Sequence, residues 1–202
     1  MNTVITIGRE FGSGGRELGR RLAEELHYDY YDKEIITEIV NHTELSEAYI
    51  NEVIENKPHH LYPIKIGATI SIDNDYAIKQ MQNIYSAQSE VIKKMADKSN
   101  CVIVGRCADY ILSDYDVNLF RIFVYADIES RIKRCVERAP EGENIPEKEM
   151  KKHIQKIDRA RASYYSSYTL QNWSAKENYD LCINTTNIKI KEFAPHLANM
   201  FK

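Results

Sequence analysis

The chain has 202 residues, enough for one domain with a sizeable core and a small insertion but not for two ordinary domains. Its 27 Lys and Arg stand against 30 Asp and Glu, a formal charge of -3 that argues against a protein coating nucleic acid with positive charge, so any anion site must be local. Cys101, Cys107, Cys135 and Cys182 form no C-x-x-C pair, and neither a secretory leader nor an apolar run near the roughly 18 residues of a membrane span is present, so a cytoplasmic chain with reduced thiols, no metal centre and no membrane partner is expected.

The first element is a β-branched run, Val4 to Ile7, predicted as a strand. Gly12, Ser13, Gly14 and Gly15 follow, and then Leu18, Leu22, Ala23 and Leu26 recur at helical spacing. A glycine-rich turn entering a helix lets successive N–H groups point into one concavity, and the helix N-terminus adds about half a positive charge, so an anion binds there without a basic side chain. The usual phosphate-loop signature, G-x-x-x-x-G-K-[ST], adds a lysine for the transferred phosphate and a hydroxyl for magnesium. With Gly14 on its last glycine, Arg9 stands at the first glycine, Gly15 at the lysine and Glu17 near the hydroxyl. Arg16 is the obvious substitute cation, one residue late, and Arg9 is a second candidate. Glu17 reads either as a carboxylate favoured by the helix dipole or as one that meets magnesium.

Tyr28 to Tyr31 predicts a second strand ending at Asp32, followed by a helix carrying Ile35, Ile36, Ile39 and Val40. Between Asn41 and Asn100 come a helix stopped at Pro58, a mixed stretch "YPIKIGATISIDND", and one long helix with Ile84, Val91, Ile92 and Met95 inward. This is more than a crossover needs, and a helical insert over roughly residues 33–100 is predicted. Cys101 to Val104 and Phe120 to Tyr125 predict the third and fourth strands, and Leu181 to Asn184 a fifth before a helix with Phe193, Leu197 and Phe201. After Asp127, a candidate N-cap, Arg131, Arg134 and Arg138 form a basic stripe while Ile128, Ile132 and Val136 take another face. Pro140, Gly142 and Pro146 then break the helix, as suits a loop that opens and closes. In the next helix Arg161 interrupts the apolar stripe of Met150, Ile154, Ile157, Tyr164 and Tyr168, and an inward cation needs a partner such as phosphate. The alternative for the basic stripe is a solvated face paired with Glu129 or Glu137. Strands alternating with helices predict an α/β fold with a mostly parallel five-stranded sheet between two helical layers, and ligands beyond the carboxyl ends of the strands.

The stretches "VITIGREFGSGGRELGRRLAEEL", "YYDKEII", "CVIVGRCADYIL", "RIFVYADIESRIKR" and "NWSAKENYDLCINTT" together resemble the cytidylate kinase-like family, a branch of the nucleoside monophosphate kinases of the P-loop class. The resemblance implies a single P-loop domain, an insert that holds an acceptor nucleotide, and an arginine-bearing lid over roughly residues 138–160. The ATP phosphates are then expected on Gly12, Ser13, Gly14, Gly15, Arg16 and Glu17, with magnesium bridging the donor phosphates and Arg16, Arg131, Arg134 and Arg161 as catalytic cations. "YYDKEII" lies where cytidylate kinases carry an acceptor-binding Asp-Ser-Gly-Ala segment: Asp32 matches, whereas Lys33 and Glu34 depart. "VIVGRCAD" lies where they read Ala-Asp-Gly-Arg: Gly105 and Arg106 match, and Val104 replaces the acid. Asp32 and Arg106 are therefore the candidate acceptor-binding residues, Arg106 through a guanidinium fork on phosphate or, alternatively, in a pair with Asp109 or Asp32. The activity implied is ATP-dependent phosphorylation of a nucleoside monophosphate; a non-catalytic nucleotide sensor and a kinase of another small metabolite are the alternatives. A homo-oligomer is left open.

Overall fold

In the computed structural model of the protein the residues described are 1–43, 46–48, 50, 73–138 and 146–202. Five strands, β1 (Thr3–Arg9), β2 (Asp29–Tyr31), β3 (Cys101–Val104), β4 (Asn118–Tyr125) and β5 (Leu181–Asn184), form one sheet in the order β2-β3-β1-β4-β5, and every pairing is parallel. The expected parallel sheet is therefore present, and β1 and β4 each extend beyond the runs the sequence suggests. The reason is pairing: Thr3 opposes Asn118 and Arg9 opposes Val124, so the two central strands lengthen each other.

Seven helices are described: α1 (Gly15–Leu26), α2 (Glu34–His42), α3 (Asp73–Lys98), α4 (Ala108–Ile111), α5 (Ile128–Glu137), α6 (Glu147–Thr169) and α7 (Ile190–Ala198). The period of two along each strand deals its apolar residues to two cores. Val4, Cys101 and Ile103 join Ile35, Ile39, Ile84 and Ile92 of α2 and α3 on one face. On the other, Ile5, Ile7, Val102, Val104, Ile122 and Val124 meet Leu18 and Leu22 of α1 and Leu197 of α7. β3 is buried at all four positions because it feeds both cores, which is why it reads as an unbroken apolar run. A third, small cluster of Ile132, Met150 and Ile154 joins α5 to α6, with Phe11 against it.

Of the insert expected over 33–100, α2 and α3 are described and pack on each other. The mixed stretch as far as residue 72, the helix stop expected at Pro58, and the loop of Pro140 and Gly142 lie outside the described residues. No helix among the described residues is long and apolar enough to cross a membrane. At the carboxyl edge of the sheet the ends of β1, β2 and β3 present Arg9, Asp32 and Arg106. Those of β4 and β5 present Asp127 and Thr185. Strand order reverses at β1, the crevice where open α/β sheets hold ligands.

Candidate phosphate-binding site

The turn between β1 and α1 depends on two glycines in the left-handed region, Gly12 at φ 76° and Gly14 at φ 84°. A β-carbon on Gly12 would stand 2.9 Å from the Arg131 carbonyl oxygen and from Cys135 Sγ, and one on Gly14 would collide with Ile190 Cδ1. So α5 and the start of α7 press on the turn from two sides. Ser13 is buried; its hydroxyl donates to the Glu10 carbonyl at 2.8 Å, and its carbonyl accepts from the Thr185 hydroxyl at 2.7 Å. Gly14 caps α1 without a side chain, and its carbonyl accepts from the Leu18 N–H at 2.9 Å. The amides of Gly15, Arg16 and Glu17 thus have no acceptor within the helix.

Beside the turn is a cavity of about 350 Å³ whose wall includes its glycines and five guanidinium groups, those of Arg9, Arg16, Arg134, Arg138 and Arg161. Glu10 is the single acid among the described lining residues. Arg134 donates to the Ser13 carbonyl at 3.4 Å and also to the Thr185 carbonyl, spanning from α5 to the turn. Arg161 donates to the Arg9 carbonyl at 3.2 Å and lies 5.6 Å from the centre of the Phe11 ring. Arg16 sets its Nε 2.5 Å from Asp32 Oδ2, and Arg9 Nη2 lies 3.8 Å from Asp32 Oδ1.

Arg131 is placed differently. It is 6% exposed and is not among the residues lining the cavity. Its Nε donates to the Phe11 carbonyl at 2.7 Å, and its guanidinium pairs with Asp158 and, at 3.1 Å, with Glu10. Asp158 in turn accepts from the Phe11 N–H at 2.8 Å. Spacing along α5 groups Arg131 with Arg134 and Arg138, but the first turn of the helix lies against Phe11, so Arg131 braces the loop from behind. Val136, grouped by spacing with Ile128 and Ile132, is 46% exposed because nothing described covers the far end of α5. Asp127 does cap the helix, accepting from the Ser130 N–H at 2.7 Å.

Three carboxylates at the turn, Glu10, Glu17 and Asp32, are each held by arginine. Glu17 pairs with Arg138 and, at 2.9 Å, with Arg21. Burial pushes its carboxyl up, yet the two arginines outweigh burial and hold it below the usual range. Glu10 goes the other way: burial raises it more than Arg131 lowers it. With Glu17, Glu10 and Asp32 engaged, and Val104 where an acid is expected, the described side chains do not fit a protein-held magnesium ion. The pairing with Glu129 or Glu137 that is the alternative for the basic stripe is not made by Arg131 or Arg138; their partners come from the loop, α6 and α1 instead.

Beyond Arg9 is a second cavity of about 60 Å³ that Arg106 lines together with Arg9, Arg161 and Asp109. Arg106 stands in a turn where three successive residues are left-handed, Gly105 at φ 75°, Arg106 at φ 61° and Cys107 at φ 54°. Two of these carry side chains, and such strain persists only where the surroundings enforce it. Gln88 enforces it by donating to the Arg106 carbonyl at 2.9 Å, itself held by the Tyr164 hydroxyl at 3.2 Å. Asp109 accepts from the Tyr165 hydroxyl at 2.7 Å, and burial pushes its carboxyl up. The sequence had no signal for Gln88, Asp158 or Thr185 as supports of these turns, since each acts through backbone atoms far away in the chain.

Comparison with known proteins agrees with this architecture. A family model described as "Cytidylate kinase-like family" matches residues 4–187. A cytidylate kinase of Thermoplasma acidophilum is 24% identical over 195 residues, 96% of this chain and 90% of that protein. An uncharacterized protein from Eubacterium ventriosum superposes with a TM-score of 0.68 at 28% identity, each chain covered to 98%. A shikimate kinase from Bacteroides thetaiotaomicron shares the fold with a TM-score of 0.55 at 13% identity, again with 98% of each chain covered.

Proposed function

The chain belongs to the cytidylate kinase-like family, and from that membership we propose that it is a phosphotransferase moving the γ-phosphoryl group of ATP to a small phosphorylated acceptor, a nucleoside monophosphate of the cytidylate kind. One observation carries the reading. A chain of net charge -3 gathers five guanidinium groups around the open amides of a glycine turn. Concentrating cations there is costly unless a polyanion shares the space, and a triphosphate tail has the charge and size to do so. The donor phosphates lie along Gly12 to Glu17, with Arg134 and Arg138 against them from α5. Arg106, at the end of β3, holds the acceptor phosphate, and Asp32 holds Arg16 at the mouth of the site. Arg131, one of the four cations assigned to catalysis from the sequence, acts instead by positioning the loop.

Transfer needs no covalent intermediate on the protein. An acceptor oxygen forms its bond to the γ-phosphorus as the bond to the β–γ bridging oxygen breaks, and the diphosphate leaves with the electron pair. Guanidinium groups neutralise the charge spread over the equatorial oxygens. Magnesium enters with the nucleotide as part of the substrate. The test is a coupled assay with ATP and a panel of nucleoside monophosphates and small alcohols. Turnover on a monophosphate is expected, and absence of turnover on every acceptor would defeat the enzyme reading. The arginine-held carboxylates favour a second reading, a sensor that binds nucleotide without transferring phosphate; tight binding by calorimetry, insensitive to magnesium and without turnover, would select it.

A further inference from the structure

Position 15 is where a phosphate loop of the usual pattern carries its lysine. Here packing explains the glycine: a β-carbon on Gly15 would stand 2.6 Å from Arg9 Cβ and 3.2 Å from Arg9 Cγ. A side chain at 15 and the present course of Arg9 exclude each other. Arg9 then crosses the turn until its Nη1 fills the place of a β-carbon on Gly105, which would collide with it. Two glycines, one in each turn, thus clear a path for one arginine. That path crosses the crevice between β1 and β3, and Arg9 and Arg161 are the described residues shared by the walls of the 350 Å³ and 60 Å³ cavities.

The charge around Arg9 is unbalanced. Its side chain is 13% exposed, and its recorded ion pair is to Asp32 at 3.8 Å, a carboxylate that Arg16 approaches to 2.5 Å. Burial first, then the Arg161 guanidinium, make the charged form of Arg9 costly, and Asp32 opposes them. A guanidinium does not relieve this by losing its proton. An anion at the junction of the two cavities does.

We propose that Arg9 is a catalytic residue, the cation that holds the γ-phosphoryl group from the strand side in place of a lysine at position 15. The proposal rests on the phosphotransfer reading above and names the residue that performs its central contact. Its fork addresses two phosphoryl oxygens at once, and from the shared wall it holds the group both before and after transfer, remaining protonated throughout. Arg16 serves the mouth of the site instead, since its side chain is 57% exposed and turned to Asp32.

The experiment uses the full chain, with a non-hydrolysable ATP analogue and ADP as calorimetric probes. The wild type is expected to prefer the triphosphate. Arg9→Gln should lower triphosphate affinity about ten-fold or more while leaving diphosphate affinity within about two-fold. It should also lower kcat roughly 100- to 1000-fold. Gly15→Ala keeps the arginine but pushes it off its path, and should produce the same selective loss with an unchanged circular dichroism spectrum. This second variant keeps the question open to refutation if Arg9→Gln fails to fold. A wild type without triphosphate preference, or a preference that survives in both variants while Arg16→Ala abolishes it, overturns the assignment and leaves the phosphotransfer reading standing. A wild type that binds neither nucleotide defeats that reading, and the assignment with it.

Discussion

Arg131 and Arg134 sit three residues apart with the same charge, and the structure separates their roles by what each reaches. Arg131 closes a network with Glu10, Asp158 and the Phe11 backbone, nearly out of solvent. Arg131→Met leaves Asp158 and Glu10 without their cation, and removing one partner of a buried pair costs roughly 3–5 kcal/mol. Urea unfolding should report that loss, while nucleotide affinity of the folded fraction stays near the wild-type value; a large affinity loss without destabilisation would return Arg131 to the phosphate. Gly14 is the other sharp position. Gly14→Ala meets both a left-handed backbone and Ile190. Calorimetry is expected to find nucleotide binding abolished, and thermal melting a loss of at least about 2 kcal/mol.

Among elements, the β4–β5 edge is pinned by charge. Asp180, just before β5, accepts from the Arg121 N–H at 2.8 Å, from Nε at 3.1 Å and from Nη2 at 2.9 Å. The hydrogen bonds from Arg121 lower the Asp180 pKa below the usual carboxylate value, so the folded state binds this proton less readily than the unfolded chain. Its stabilisation is complete above the unfolded value of about 3.9 and is lost as pH falls through the lower folded value. Because both side chains are about one-third exposed, solvent screening limits the contribution to about 1 kcal/mol or less. In Asp180→Asn, denaturation followed from pH 6 to pH 2 should lose that part of the acid limb and keep the rest; an unchanged acid limb would show that the pair adds nothing.

At the scale of the molecule, the sheet order sends every strand end toward one rim, where Arg9, Asp32, Arg106, Asp127 and Thr185 are brought together. A ligand held there ties the loop after β1 to α5, α6 and α7 at once, so binding should register as stability of the whole chain. At a concentration one hundred times its Kd, nucleotide adds about 2.7 kcal/mol, which for this chain length raises Tm by roughly 5–10 °C. Differential scanning calorimetry with ATP should show the rise, and it should shrink with added salt because guanidinium groups make the contacts. An absent shift at saturating nucleotide would contradict the site.

The order of strands and helices, the glycine turn and the Asp127 cap were all legible in the sequence, because each is decided within a few residues by periodicity, by the need for positive φ or by a side chain reaching three amides ahead. Asp32 and Arg106 were legible as strand-end residues for the same reason. What the sequence could not assign was which arginine faces the phosphate cup. Arg9, Arg16 and Arg131 carry equal charge, and their separation depends on contacts 16 to 96 positions away, with Asp32, Gly105 and Asp158, that only the packed chain creates. Local sequence determined where the open amides of a glycine turn gather; the tertiary fold decided which cations stand beside them, because electrostatic energy depends on distance in space and not along the chain.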